Sequence, residues 1–293
     1  MSITRITIIG LGLIGGSLGL ALKKAKGAEV EVTGCARRLK VSKKAIERGI
    51  VDRAEAQLGE AVSSADIVIV ATPVMAIKDI FQQIAGHLSP NAIVSDVGST
   101  KSQIMHWAEE YLPSTASFIG GHPMTGKETA GIDEAEADLF DDCVYCLSPS
   151  QSAKKEALKA MAELLEWIGA RPFLIEAEQH DELVAGISHL PLILSSTLVS
   201  TLSQSGQWPR MSGLAASGYR DVTRLASGNP ELHRGICATN RKAIAEWIDR
   251  YIEHLKEYQH LVLEDDQKLE ESLGKAREVR ENWLQNDGRR FNR

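Results

Sequence analysis

The sequence predicts an α/β fold, with a doubly wound sheet domain in residues 1–176 and an all-helical domain in residues 177–293. Three observations lead to this prediction. Short β-branched runs alternate with helical periods in the first half, and a glycine-rich turn directly follows the first run. After Glu176 the strand patterns stop, and only helical patterns remain.

The predicted strands are short apolar runs bounded by turn residues. They span residues 3–9, 29–34, 67–71, 92–96, 117–120, 144–147 and 172–175. The segments between them, including residues 151–168, have helical periodicity. Because strands and helices alternate, we expect a parallel sheet with helices on both faces. In the second half, residues 203–218 and a turn at residues 228–230 interrupt the helical pattern.

Composition and charge exclude several classes of protein. With 293 residues, 43% hydrophobic and 25% charged, the chain can bury a core in each domain and is neither disordered nor fibrous. A net charge of −6 argues against a nucleic-acid partner. Four cysteines do not make a disulfide framework, and no leader pattern precedes the first strand, so we expect a cytoplasmic protein.

One apolar segment has the length of a membrane span. Residues 183–202 contain no Asp, Glu, Lys or Arg, but they include His189, Pro191 and six Ser or Thr residues. Neither a second span nor an aromatic belt accompanies the segment. We therefore expect no membrane partner and predict a core helix, buried on all sides in a helical domain or a subunit interface.

The glycine-rich turn matches the fingerprint of Rossmann-like dinucleotide-binding domains. It comprises Gly10, Gly12, Leu13, Ile14 and Gly15, between the first predicted strand and a helix. In this motif the first glycine makes a tight turn, the second admits a pyrophosphate, and the third allows close helix packing. The helix N-terminus offers unpaired N–H groups to the phosphates. We predict that these residues bind a dinucleotide; the alternatives are a glycine-rich turn without a ligand and a site for a methyl-donor nucleoside.

The end of the second predicted strand bears on which dinucleotide is bound. NAD-binding domains place an acidic residue there for the ribose hydroxyls. This chain instead has Ala36, followed by Arg37 and Arg38, and two guanidinium groups favour a 2′-phosphate. We therefore predict NADP as the cofactor, with NAD as the second choice, unless the arginines are only a solvated pair.

Two further motifs resemble known sites but lack their chemistry. Residues 121–127 nearly match a phosphate-binding P-loop, but Glu128 replaces the hydroxyl that binds Mg²⁺ and Pro123 interrupts the backbone donors. Cys143 and Cys146 have metal-ligand spacing, yet residues three apart in a strand point to opposite faces. We expect structural cysteines and no metal.

Doubly wound domains carry their chemistry at the carboxyl ends of the later strands. In this chain Thr72 and Pro73, then Ser99, then His122 occupy those positions. A histidine between glycine and proline is suited to proton transfer near neutral pH, and a neighbouring serine could hold the same reacting group. The alternative is that His122 is an ordinary hydrogen-bonded loop histidine.

Six sequence blocks, in this order, resemble the prephenate/arogenate dehydrogenases of tyrosine biosynthesis, and the resemblance extends from Ile6 to about Asn240. The blocks are Gly-Leu-Gly-Leu-Ile-Gly-Gly-Ser (10–17), Asp-Val-Gly-Ser-Thr-Lys (96–101), Gly-Gly-His-Pro-Met-Thr-Gly (120–126), His-Asp (180–181), Ser-His-Leu-Pro (188–191) and Gly-Tyr-Arg-Asp-Val-Thr-Arg (218–224). The resemblance implies a Rossmann-like domain, an all-helical dimerisation domain that makes a homodimer, and an active site between the two. Some relatives carry an added mutase or regulatory domain, and we expect neither here.

The resemblance also implies an activity and roles for residues. The expected reaction is NADP-dependent oxidative decarboxylation of prephenate and/or arogenate to 4-hydroxyphenylpyruvate or tyrosine. His122 matches the base, and Ser99 would hydrogen-bond the same hydroxyl and orient His122. His189 and Arg224 would bind the carboxylate-bearing parts of the substrate. Arg220 is either a further ligand or a solvated helix arginine.

Two other functions fit part of the sequence. One is a small-acid dehydrogenase of the 3-hydroxyacid type, but these use a lysine on a helix of the second domain, and no such motif follows Glu176. The other is a non-catalytic NADP-sensing protein, which would not need both Ser99 and His122 at strand ends. The sequence does not distinguish prephenate from arogenate, because the two differ only by a keto or an amino group on the side chain.

Overall fold

An eight-stranded sheet forms the centre of the computed structural model, which describes residues 3–127 and 129–286. The strands are β1 (Arg5–Ile9), β2 (Glu31–Cys35), β3 (Arg53–Glu55), β4 (Ile67–Val70), β5 (Ile93–Asp96), β6 (Ser117–Pro123), β7 (Val144–Pro149) and β8 (Arg171–Leu174). Their spatial order is β3-β2-β1-β4-β5-β6-β7-β8. All neighbours are parallel except β6 and β7, which are antiparallel. The strand order reverses direction between β1 and β4, and this switch point is where such sheets bind dinucleotides.

Helices connect the strands and cover the sheet. They are α1 (Leu13–Lys26), α2 (Leu39–Glu47), α3 (Leu58–Val62), α4 (Val74–Ile84), α5 (Ser102–Tyr111) and α6 (Lys155–Trp167). Single 3₁₀ turns occur at Gly27–Glu29, Ala85–His87 and Ile132–Glu134. This arrangement confirms the predicted α/β class with a doubly wound sheet.

The core lies on both faces of the sheet, as expected for parallel strands covered by helices. Every residue of β4 is buried, because alternate side chains enter opposite cores. Ile67 and Ile69 belong to one buried apolar cluster, and Val68 and Val70 belong to the other. The continuous apolar run of this strand therefore follows from its central position.

Several strand boundaries differ from the sequence-based expectation. The short strand β3 was not predicted, because its sequence Arg-Ala-Glu has no apolar run. Strand β6 continues to Pro123, since it pairs with β7 over its whole second half. His122 therefore lies within a strand, opposite Cys146, and does not follow one as we expected.

The helical half begins with α7 (Ala177–Val184), a π-helical turn (Ala185–His189) and α8 (Leu190–Ser203). Helices α9 (Trp208–Ser212), α10 (Ser217–Thr223) and α11 (Pro230–Thr239) follow, with a 3₁₀ turn at Arg224–Ser227. The side chain of Asn229 caps α11 by accepting a hydrogen bond from the Glu231 N–H at 2.8 Å. All these helices form one compact unit with the sheet, up to Arg241.

The apolar segment 183–202 is not buried on all sides within one chain. Its continuous helix, Ala177–Ser203, is long and apolar enough to span a membrane by length and composition, and 33% of its most apolar window is buried. Leu183 and Ile187 are 51% and 72% exposed. The π turn ends at His189, two residues before Pro191, whose ring would clash with a carbonyl in a regular α-helix.

The second compact unit, Lys242 onwards, consists of most of α12 (Arg241–Glu264) and all of α13 (Asp266–Asn286). No residue of α13 is buried in the described chain. Several large apolar side chains of this unit are exposed, among them Leu255, Leu263 and Val279. The expected domain boundary between residues 176 and 177 remains a prediction.

Candidate active site

The turn between β1 and α1 has the backbone geometry that the fingerprint requires. Gly10 has φ +99°, and a Cβ there would lie 2.4 Å from the Ala71 carbonyl oxygen. A Cβ at Gly15 would lie 1.9 Å from the carbonyl oxygen of Gly10, so this position needs glycine for helix packing. A Cβ at Gly12 would meet nothing within 4 Å. The space beside Gly12 is therefore open to a ligand at the N-terminus of α1.

Two observations indicate that this cradle fits the pyrophosphate of a dinucleotide. The first turn of α1 contains no acidic residue, so nothing there repels a phosphate. At the end of neighbouring strand β4, the hydroxyl oxygen of Thr72 is buried without a hydrogen-bond partner among the described residues. A buried hydroxyl without a partner is costly, so a bound ligand would satisfy it. Pro73, the next residue, is the N-cap of α4.

The end of β2 presents two arginines to solvent. Ala36 is half-buried, and Arg37 and Arg38 are exposed before α2 begins at Leu39. Within residues 3–127 and 129–286, neither guanidinium has a hydrogen-bond or ion-pair partner. Both groups are thus available to an anion at the ribose end of the cradle.

His122 is half-buried on β6, and its Nδ1 atom is 2.8 Å from Nε2 of His180. The two rings meet edge to face, with centroids 5.0 Å apart. Burial lowers the pKa of His122 well below 6.5, and the nearby His180, Lys101 and His189 lower it further. His122 is therefore neutral at neutral pH. Since Nδ1 faces His180, Nε2 is the nitrogen left for a substrate.

His180 connects His122 to a carboxylate. Its Nδ1 atom is 2.9 Å from Oδ1 of Asp181, and both residues are buried. Asp181 also accepts hydrogen bonds from the backbone N–H groups of Lys101 and Ser102, at 2.7 Å and 2.9 Å. Burial alone would raise the pKa of Asp181, but the hydrogen bonds from His180, Lys101 and Ser102 bring it below its ordinary value. The carboxylate is held ionised at the N-terminus of α5.

A buried ion pair fixes β6 beneath His122. The Lys101 ammonium contacts the Asp96 carboxylate, and neither side chain is exposed to solvent. Lys101 also donates to the carbonyl oxygen of Gly121 at 2.7 Å, and Asp96 accepts from the Gly121 N–H at 3.1 Å. Burial raises the pKa of Asp96 and lowers that of Lys101, and their mutual attraction opposes both shifts. Removing one partner of such a pair typically costs about 3–5 kcal/mol.

His189 is buried at the end of the π turn, with a hydrogen bond between its Nδ1 and the Asn240 side-chain amide at 3.3 Å. The same amide nitrogen donates to the Asp181 carbonyl oxygen at 2.7 Å. Because an amide nitrogen only donates, His189 Nδ1 accepts and Nε2 carries the proton. That Nε2 is buried without a partner among the described residues. Burial lowers the pKa of His189 to about 4, so it offers a hydrogen-bond donor and no charge at neutral pH.

The remaining predicted residues lie on neighbouring elements. Ser99, after β5, is half-buried, and its backbone interacts with His189. The residue that contacts Nδ1 of His122 is His180 and not Ser99. Arg220 is exposed and forms an ion pair with its neighbour Asp221 at 3.2 Å, which matches the solvated alternative. Arg224 is exposed at the start of the 3₁₀ turn that packs on α8.

Three residues of this cluster had no role assigned from the sequence: His180, Asp181 and Asn240. The His-Asp block was visible, but its link to His122 depends on α7 packing against the N-terminus of α5. Nothing in the sequence indicated Asn240. Cys143 and Cys146 are free cysteines, and burial raises the pKa of Cys143 to about 12. Among the described residues, no group of three or more His, Cys, Asp or Glu is arranged to hold a metal.

Two family models match the chain in adjacent segments. The model described as prephenate dehydrogenase, nucleotide-binding domain, matches residues 18–174, and the model described as prephenate dehydrogenase, dimerization domain, matches residues 176–275. The two matches meet next to the boundary expected from the sequence. They cover most of the chain and agree with the observed order of a nucleotide-binding fold followed by helices.

Individual proteins are similar over almost the whole chain. The prephenate dehydrogenase of Lactococcus lactis subsp. cremoris (strain MG1363) is 34% identical, and the alignment covers 94% of this chain and 77% of that protein. A crystal structure of Synechocystis arogenate dehydrogenase has a TM-score of 0.83 at 33% identity, covering 96% of this chain and 100% of that chain.

The structure of prephenate dehydrogenase from A. aeolicus in complex with hydroxyphenyl propionate and NAD+ has a TM-score of 0.90 at 26% identity, covering 96% and 99% of the two chains. These comparisons confirm the resemblance identified from the sequence blocks. The chain therefore belongs to the prephenate dehydrogenase family of NAD(P)-dependent oxidoreductases.

Proposed function

We propose that this enzyme catalyses the NADP-dependent oxidative decarboxylation of prephenate and/or arogenate. One observation carries the proposal: a neutral histidine acceptor and a neutral histidine donor lie in the same buried cluster. His122 leaves Nε2 for a substrate, and the Nε2–H of His189 has no hydrogen-bond partner within the described part of the chain. The relatives are prephenate and arogenate dehydrogenases, whose substrates offer a ring hydroxyl and carboxylates to such a pair.

His122 acts as the base in the proposed reaction. When bound, the nicotinamide supplies the acceptor for the hydride that leaves the carbinol carbon. His122 Nε2 takes the proton of the substrate hydroxyl as the carbonyl forms, and the lowered pKa keeps this nitrogen free of a proton at neutral pH. The ring carboxylate then leaves as CO₂, and the ring becomes aromatic. The enzyme therefore mainly needs proton transfer, orientation and carboxylate binding.

His189, Ser99 and Arg224 would hold the substrate. The Nε2–H of His189 would donate to an oxygen of the substrate, which would satisfy a buried donor that has no partner among the residues the structure describes. Ser99, whose backbone interacts with His189, would bind the reacting hydroxyl. Since both histidines are neutral, positive charge must come from elsewhere, and Arg224 is our candidate. Arg220 is the next candidate, although it pairs with Asp221.

Gly10, Gly12, Leu13, Ile14 and Gly15 would hold the pyrophosphate of the cofactor. Thr72 and Pro73 would flank it from the end of β4. At the ribose end, Arg37 and Arg38 would bind the 2′-phosphate of NADP. With Ala36 in place of an acidic residue, nothing at this position repels that phosphate.

We further propose a cytoplasmic homodimer. The helical half matches a dimerization-domain model, and Leu183 and Ile187 leave an apolar face of α7 and the π turn uncovered. The four free cysteines are compatible with a reducing compartment, which supports the proposed location.

A steady-state assay of the purified enzyme tests this function and the cofactor preference together. The absorbance of the reduced nicotinamide is followed with prephenate and with arogenate, each with NADP+ and NAD+. We expect turnover of at least one substrate and a higher kcat/KM with NADP+. Replacing both Arg37 and Arg38 by Ser should raise the KM for NADP+ about tenfold to a hundredfold, while the KM for NAD+ stays unchanged.

Two results would contradict these proposals separately. No turnover of either substrate would contradict the proposed reaction. Equal or better efficiency of the wild-type enzyme with NAD+ would contradict the NADP preference alone. Lys43→Ser is the matched control for the double Arg variant. Lys43 is an exposed cation on α2, further along the chain, and its replacement should leave the KM for both cofactors unchanged.

A further inference from the structure

We propose that Asp181 and His180 act as positioning residues that set the tautomer of His122, so that its Nε2 is the proton acceptor. This inference deepens the proposed function and rests on it for the identity of the reaction. It concerns two buried residues that form the His-Asp block of the sequence and that had no role assigned from it. The geometry that supports it is a continuous chain of hydrogen bonds from Asp181 through His180 to His122.

The direction of these hydrogen bonds follows from the Asp181 carboxylate, which is anchored at one end of the relay. Asp181 receives two backbone N–H groups at the start of α5, from Lys101 and Ser102, so its carboxylate is anchored independently of His180. An ionised carboxylate only accepts, so His180 must donate from Nδ1. A ring that carries one proton then has its lone pair on Nε2, which accepts the Nδ1–H of His122. His122 Nε2 is left with a lone pair.

This relay of hydrogen bonds, from Asp181 through His180 to His122, matters to the reaction in two ways. In the opposite tautomer His122 would present an N–H to the substrate hydroxyl and could not take its proton. When His122 does take the proton, its ring becomes cationic, and the hydrogen bond to His180 connects it to the Asp181 carboxylate. A carboxylate oriented behind a histidine base stabilises the imidazolium without accepting a proton itself. The transferred proton ends on His122 Nε2, and the protons on Nδ1 of His122 and Nδ1 of His180 stay in place.

Packing also limits the movement of the relay. His180 is 1% exposed and Asp181 is 4% exposed, and the Asn240 amide binds the backbone oxygen of Asp181. The same amide accounts for the opposite tautomer of His189. Asp181 is therefore connected to both histidines, to His122 through His180 and to His189 through Asn240.

The first test is spectroscopic and does not depend on substrate identity. In the full-length protein with ¹⁵N-labelled histidine, the ring nitrogen shifts of His122 report which nitrogen carries the proton. A His122→Asn variant identifies its signals among those of the eight histidines. We expect the proton on Nδ1. A proton on Nε2 of His122, which would require a doubly protonated His180, would overturn the proposal.

The second test compares His180→Leu with His180→Gln. Leucine fills the space but leaves the Nδ1–H of His122 without an acceptor, whereas the glutamine amide oxygen restores one. We expect His180→Leu to lose the Nδ1–H preference and to reduce kcat by at least about tenfold, with substrate KM little changed. His180→Gln should recover the tautomer and most of kcat. If His180 only fills space, the leucine variant would perform as well as the glutamine variant.

Controls separate this role from general destabilisation and from the proposed reaction. Thr7→Val removes another buried hydrogen bond, from the Thr7 hydroxyl to the Ala61 carbonyl oxygen at 2.6 Å, and should change neither the tautomer nor kcat. If His180→Leu does not fold, the tautomer in the wild-type and His180→Gln proteins still decides the question. If neither substrate is turned over, the proposed reaction fails, while the nitrogen shifts still test the relay.

Discussion

At the scale of residues, the candidate site contains two histidines that present opposite hydrogen-bonding groups. His122 and His189 are both neutral because burial lowers their pKa values. Their neighbours decide which nitrogen carries the proton: His180 faces Nδ1 of His122, and the Asn240 amide faces Nδ1 of His189. One Nε2 is therefore available to accept a hydrogen bond, and the other to donate one.

The pH dependence of kcat/KM follows from the lowered pKa of His122. Because the pKa lies well below 6.5, the base is unprotonated at neutral pH, and activity is lost only as pH falls through the lowered value. We expect a flat profile from about pH 8 to 6.5 and a decline below it. Stopped assays in buffers of constant ionic strength measure this. An acidic limb centred at or above 6.5 would show that burial does not lower the pKa as the structure implies.

The sequence identified candidate reacting residues but not the residues that contact them. His122 was found from its glycine and proline neighbours, and His189 from the Ser-His-Leu-Pro block. Asp181 and Asn240 could not be given roles, because their contacts join residues 59 positions apart in the chain. Such contacts depend on how the helices pack, and local sequence patterns do not contain that information.

At the scale of elements, the junction of β1 and α1 separates two requirements for glycine. A methyl group at Gly15 collides with the backbone of Gly10, whereas a methyl group at Gly12 enters open space. Gly15 is required by the fold, and Gly12 is required by the expected ligand.

Gly12→Ala and Gly15→Ala should therefore fail differently. We expect Gly12→Ala to melt near the wild-type temperature but to bind NADP+ at least about tenfold more weakly, a loss of about 1.4 kcal/mol. Gly15→Ala should lower the free energy of unfolding by about 1–3 kcal/mol, because the helix must move away from the turn. Thermal melting and cofactor titration of both variants measure this. Equal cofactor affinity in Gly12→Ala and wild type would place the pyrophosphate elsewhere.

Element types were predictable where periodicity was strong, and boundaries were less so. The central strand β4 was found because it is an uninterrupted apolar run. The extension of β6 to Pro123 could not be predicted, because it depends on antiparallel pairing with β7. The π turn at Ala185–His189 was likewise not predicted from the sequence.

At the scale of the whole molecule, the uncovered apolar side chains require an explanation that one chain does not supply. Ile187 is 72% exposed, and Leu194 on α8 is half-buried in a helix that carries no charge. Large exposed apolar faces commonly mark association surfaces. The sequence indicated the apolar segment, and part of its apolar surface remains exposed in the single chain, which supports an association surface there.

Association should therefore respond to a charge on α8. We expect the wild-type protein to sediment as a dimer at micromolar concentration and Leu194→Arg to dissociate or unfold it. Lys159→Arg on α6, an exposed position in the sheet domain, is a matched control that should remain dimeric. A wild-type monomer, or a Leu194→Arg dimer of unchanged stability, would place the interface elsewhere.

The central claim is that His122 accepts the substrate proton, and the most direct measurement is the turnover of His122→Asn. Asparagine keeps a hydrogen-bonding side chain but cannot take a proton, so kcat should fall by about 10² to 10⁴. The Kd for NADP+, measured by titration of the same preparation, should equal that of the wild type, because His122 is not among the residues expected to hold the cofactor. A variant that retains near-normal kcat would contradict the account and make His122 an ordinary hydrogen-bonded histidine.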